Sequence, residues 1–232
     1  MKKRTSPFYL ILLLLISFTV SSQQSFNNKI EGEFISNRTI NLKENSTNYT
    51  GSPYFNEAFI SGNIYKNDKL LASNKSLRYN ANKDEFEIKN SLTPISDIVN
   101  TLFKKSSLTI KTGIKEFIFM LPTNTNVAHG YFILLHKNEN MSFVKKIKKK
   151  FVPAQKAYSS MAVDTQAMYK EYESYFLLDK EGNLIELPNS KNKRIEAFGS
   201  HKKDLKAFVK KNKVHIKNEK GMRKLVEYYN SL

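Results

Sequence analysis

The sequence predicts an α+β fold: an antiparallel β-meander, forming a curved sheet or partial barrel, with one short packing helix and a C-terminal helical hairpin. Three observations predict it. From Gly51 onward, short apolar or aromatic runs alternate with turn signals. The stretch DEFEIKN puts Phe86 and Ile88 on one face and Glu85, Glu87 and Lys89 on the other, the two-residue period of a half-buried strand. Near the C-terminus the period changes, and Met222, Leu225, Val226 and Tyr229 fall at i, i+3, i+4 and i+7, one stripe of a helix.

Taken in order, residues 1–22 read as a signal peptide. Lys2, Lys3 and Arg4 precede the 13-residue apolar run FYLILLLLISFTV, and small residues follow, with Val20 and Ser22 at signal-peptidase positions. The run is too short to span a bilayer comfortably, so no transmembrane span is expected after cleavage. The expected location is exported: periplasmic, or outer-surface or secreted. Residues 23–50 are polar with scattered apolar side chains and read as a flexible leader or a loosely attached edge segment.

Residues 51–190 form the expected β-rich core domain. Turns are expected at Gly51 to Pro53, Asn67-Asp68, Ser73-Asn74 and Asn80 to Asp84. Thr93 is a natural N-cap and Pro94 suits the first helical position, with Ile95, Ile98, Val99 and Leu102 at helical spacing. That is the short packing helix. Further hairpins are expected around Thr112-Gly113, Lys137 to Asn140 and Asp179 to Asn183. Residues 153–172 are ambiguous. In residues 191–232, a helical segment packed on or beside the core, Gly199 stops one stretch and Ser200 caps the next, striped by Leu205, Phe208 and Val209. Asn218 caps the last helix.

Charge is unevenly placed. Residues 23–100 carry 9 basic and 9 acidic side chains, whereas residues 101–232 carry 26 basic and 12 acidic. Such asymmetry points to an anionic partner or surface, or to lysines filling solvent positions. Its densest part is KKIKKKF at 145–151, with Lys145, Lys146, Lys148, Lys149 and Lys150 as the anionic-surface candidates. As a helix this stretch is a basic amphipathic surface element. As a strand it places Phe143, Ile147 and Phe151 with Lys145 and Lys149, and its lysines blunt an exposed edge. The preceding GYFILLH and polar turn favour the strand.

Other chemistry finds little support. The chain has no cysteine, which removes disulfides, thiolate nucleophiles and cysteine-bound metals. His129, His136, His201 and His215 show no i, i+4 pair and no HExxH, so no metal or cofactor is expected. There is no G-x-S-x-G elbow, P-loop or G-x-G-x-x-G. Export and the lack of a nucleic-acid signature argue against nucleic acid. Asp84, Glu85 and Glu87 beside Arg78 are the one carboxylate group that suggests acid–base work. The alternation of Glu85 and Glu87 with Phe86 and Ile88 instead predicts that these two face solvent, and Arg78 and Asp84 flank a turn where they pair structurally.

Two stretches, GSPYFNEAFISG at 51–62 and LRYNANKDEFEI at 77–88, together with KLVEYYNS at 224–231, resemble a group of uncharacterised exported proteins of Bacteroidota. The resemblance implies an envelope location and no activity. It singles out Tyr54, Phe59, Arg78, Tyr79, Asp84 and Glu87 as structural-motif candidates, with Tyr54 and Phe59 packed on the same sheet. The expected function is an exported, non-enzymatic binding or structural module of a bacterial envelope, meeting an anionic surface or a protein partner. The alternatives are a hydrolase whose carboxylate and histidine site assembles from distant strands, and an interaction subunit docking through the C-terminal helices, with Tyr228 and Tyr229 as anchors.

Overall fold

The computed structural model describes residues 30–42, 49–89, 98–123, 128–157, 159, 161 and 163–232, so the expected signal peptide lies outside them. Twelve strands among the described residues join one sheet. They are β1 (Ile35–Asn41), β2 (Tyr49–Thr50), β3 (Ile60–Lys66), β4 (Lys69–Asn80), β5 (Glu85–Lys89) and β6 (Ile98–Leu102). After these come β7 (Leu108–Thr112), β8 (Lys115–Met120), β9 (Gly130–His136), β10 (Met141–Val152), β11 (Ala167–Asp179) and β12 (Leu184–Glu186). The order across the sheet is β1-β6-β5-β4-β3-β7-β8-β9-β10-β11-β12, with β2 beside β11. β1 and β12 are its two ends, so the sheet is unclosed, and the fold is broadly α+β.

The sheet curls on itself. β5 and β9 stand five places apart in the order, yet the rings of Phe86 and Tyr131 lie 5.1 Å apart, edge to face. Tyr79, Phe117 and Phe119 complete this aromatic cluster, and Ile64, Leu77, Leu108 and Ile110 fill the concave face around it. Rings at such spacing contribute about 0.5–1.5 kcal/mol per pair beyond the area they bury. Curling also gives β5 cover on both faces: Glu85, Phe86, Glu87 and Ile88 are all buried. The expectation of solvent-facing Glu85 and Glu87 is therefore corrected.

Four helices among the described residues pack on the sheet: α1 (residues 30–34), α2 (Lys191–Glu196), α3 (Lys202–Lys211) and α4 (Glu219–Tyr229). The last three bury Ile195, Leu205, Val209, Met222, Leu225 and Val226 against Met141, Phe143 and Leu177 of β10 and β11. Asn218 caps α4 as expected, its side-chain oxygen accepting the Gly221 N–H at 2.8 Å. The α3 cap is His201 at φ 54°, one residue beyond the expected Ser200. Among the described residues no helix is long and apolar enough to cross a membrane.

Three local expectations change. The segment Ile98–Leu102 is a strand and not a helix, while residues 90–97 lie outside the described set. Val99 and Leu102 fit either period, but β1 and β5 offer backbone partners on both sides, and that pairing outweighs the helical spacing. Ser73-Asn74 makes no turn; β4 runs through it with a bulge, Asn74 at φ 52° donating its N–H to the Asn63 side chain at 3.0 Å. The expected polar leader contributes α1 and β1, and Phe34 is fully buried in the concave core.

Candidate functional site

The lysine stretch is a strand, but not an edge. β10 pairs with β11 through twelve consecutive registers, from Met141↔Asp179 to Val152↔Met168, and its first half also pairs with β9. Pairing with β9 stops at Lys145↔Ile133. Past it, the turn between β4 and β5 covers the open side: the Lys149 N–H donates to the Ala81 carbonyl at 3.1 Å, and the Asn82 amide donates to the Lys149 carbonyl at 2.9 Å. Beyond Lys149 the β10–β11 ribbon takes β2 beside β11, at Ala167↔Tyr49 and Met168↔Thr50.

Its lysines divide accordingly. Lys145 is buried and donates to Glu173, at 3.2 Å, and to Glu219. Burial alone lowers an ammonium pKa, but these two carboxylates outweigh it and hold Lys145 above its ordinary value. Lys149 pairs with Glu171 at 3.5 Å. Lys146 turns to the other face and donates to Asp84, at 3.2 Å, and to the Tyr131 carbonyl, at 3.3 Å. There burial prevails over Asp84, and its pKa falls. Three of the five sequence candidates are thus pairing residues of the scaffold, which leaves Lys148 and Lys150 exposed.

A residue that the sequence reading does not single out completes the exposed group. Lys170 stands directly opposite Lys150, and Tyr172 directly opposite Lys148. The ammonium groups of Lys150 and Lys170 lie 5.5 and 5.6 Å from the Tyr172 ring, which is 42% exposed. None of the three lysines has an ion-pair partner among the described residues. Lys150 and Lys170 are like charges directly opposite in a strand pair, an arrangement that is destabilising. The available signal was the two-residue spacing of Lys170 and Tyr172, which puts both side chains on one face of a strand.

The structural-motif candidates form two polar pins. In the first, Arg78 donates from Nη2 and Nε to one oxygen of Glu87, at 2.7 and 3.1 Å, and from Nη1 to the Glu57 carbonyl at 3.1 Å. Its guanidinium lies 3.6 Å from the centre of the Tyr54 ring and 4.3 Å from that of Phe59, so both rings face one cation. Burial, then the nearby Glu87, push the Tyr54 hydroxyl up to about 12. Arg78 therefore pairs with Glu87, and the expected Arg78–Asp84 pair is corrected.

Asp84 makes the second pin. It accepts the Tyr79 hydroxyl at 2.6 Å, the Tyr131 N–H at 3.1 Å and the Lys146 ammonium. Burial and this carboxylate push both phenols far above the ordinary tyrosine range. The contact ties the β4–β5 turn to β9 and β10 and so closes the curl.

A cavity of about 650 Å³ opens on the other face, with Ile118, Leu134 and Leu178 among its lining residues; neither Asp84, Glu87 nor a histidine borders it. No group of three or more metal-ligating side chains occurs among the described residues. Compared with protein-family models, curated proteins and solved structures, the chain gives no match.

Proposed function

We propose that the chain is an exported, non-enzymatic binding or structural module of a bacterial envelope, one that holds an anionic surface through the free face of the β10–β11 ribbon. The observation that carries this reading is the unpaired trio Lys148, Lys150 and Lys170 around Tyr172. The signal-peptide pattern of residues 1–22 supports export. The carboxylates with catalytic potential are engaged as partners: Glu87 with Arg78, Asp84 with Tyr79, Tyr131 and Lys146, and Glu85 with Arg38 and Lys104. In this reading the antiparallel meander and the C-terminal helices are the scaffold that presents the ribbon.

Flotation of residues 23–232 with neutral and anionic phospholipid vesicles across a salt series tests it. A lysine near an anionic surface contributes about 1 kcal/mol, so replacing all three by glutamine lowers partitioning by about two orders of magnitude. Salt weakens the binding, because exposed charges are screened within a Debye length of about 10 Å at 0.1 M. Absence of binding to anionic vesicles at low salt overturns the reading.

A further inference from the structure

Resting on that reading, we infer that the free end of the β10–β11 ribbon enters the anionic bilayer, with its apolar tip among the acyl chains and its lysines at the phosphates. The end is built for both. Phe151, 48% exposed, packs edge-on against Tyr49 and at a tilt against Tyr169, with centroids 6.3 and 5.3 Å away. β2 adds Tyr49 as a third strand alongside Ala167 and Met168. Further out, Met161 and Val163 are 98% and 84% exposed. Single exposed apolar residues are ordinary. Here they gather at one end of an arm, behind which stand Lys148, Lys150 and Lys170.

Length and order suit the two zones of a bilayer. Gln155 and Thr165 exchange backbone hydrogen bonds of 3.0 and 2.8 Å, closing the neck of the tip loop. From the Lys150↔Lys170 register to this bridge is five residues along each segment, at most about 16 Å at about 3.3 Å per residue. That distance crosses a headgroup layer of roughly 5–8 Å and leaves the tip at the shallow depth used by interfacial elements. Tyrosines belong at the same boundary, with an apolar ring and a polar hydroxyl. Of the two carboxylates in this region, Glu171 is paired with Lys149, and Asp164 accepts the Ala157 N–H at 2.7 Å near the exposed Lys156. Lysine charge supplies the preference for anionic lipid over neutral.

The absence of cysteine makes a unique label possible. Val163→Cys carries an environment-sensitive fluorophore at the tip. Ile114→Cys, at a fully exposed turn between β7 and β8, carries the same fluorophore as a control. With anionic vesicles that contain acyl-chain spin labels, the tip fluorophore shifts to the blue and is quenched, and the control does not change. In residues 23–232, Met161→Ser with Val163→Ser keeps low-salt flotation but cuts the fraction retained at high salt by about tenfold or more. Flotation at low salt with the tip label still in water overturns insertion and leaves the electrostatic reading standing. Failure to float at all overturns both.

Discussion

Nη2 of Arg78 lies 2.7 Å from Oε2 of Glu87, a carboxylate only 1% exposed to solvent. Removing one partner strands the other. Arg78→Met leaves the buried Glu87 carboxylate without its cation, which costs about 3–5 kcal/mol. Arg78→Met combined with Glu87→Leu removes both charges and recovers most of that loss, because apolar replacements at a buried pair are often neutral or better. Urea unfolding of the wild type, both single variants and the double variant measures the coupling. Additive losses would mean that the pair contributes nothing as a pair.

Glu219 and Lys145 set a pH window. Burial raises the Glu219 carboxyl, but hydrogen bonds from Lys145 and Tyr175 more than compensate, and its pKa lies below the ordinary value. A carboxyl whose folded pKa is depressed contributes stability above its unfolded value, about 4.3, and loses it as pH falls through the folded pKa. Lys145, held above its ordinary value, contributes below about 10.4 and loses this as pH rises through its folded pKa. The melting temperature of Glu219→Gln therefore lies below wild type by a constant gap between about pH 5.5 and 9. The gap narrows as pH drops below about 4.3. A gap that persists unchanged into acid means that the Glu219 carboxylate does not supply the difference.

Local chemistry was legible in the sequence, and long-range pairing was not. Asn67-Asp68 reads as a tight turn because both residues accept positive φ, and both adopt it, at 49° and 63°. Asn218 reads as a cap because the apolar stripe of α4 starts just after it. The inward turn of Lys145 and Lys146 has no local signal. Their partners lie 74, 62 and 28 residues away, at Glu219, Asp84 and Glu173. Alternation in DEFEIKN correctly gives a strand, yet it cannot show that the curl covers β5 on its second face. For Ile98–Leu102 the β-branched side chains were the better guide than the i, i+3, i+4 spacing.

The close approach of Gly130 to Asp84 gives a test of the curl itself. Gly130 begins β9 at φ +117°, and a Cβ there would sit 1.7 Å from Oδ2 of Asp84 and 2.8 Å from Nζ of Lys146. Gly130→Ala therefore meets backbone strain of about 1–2 kcal/mol and a clash that forces the pin apart. Overpacking of this kind adds about 1–3 kcal/mol. Gly130→Ala with Asp84→Ala removes the clash with the carboxylate but not the strain, nor does it restore the bonds to Tyr79, Tyr131 and Lys146. If the clash dominates, adding Asp84→Ala to Gly130→Ala destabilises far less than Asp84→Ala does in the wild type. Denaturant titration of the four proteins separates the effects. Equal increments in the two backgrounds would show that the curl relaxes around the methyl group without parting Asp84 from Lys146.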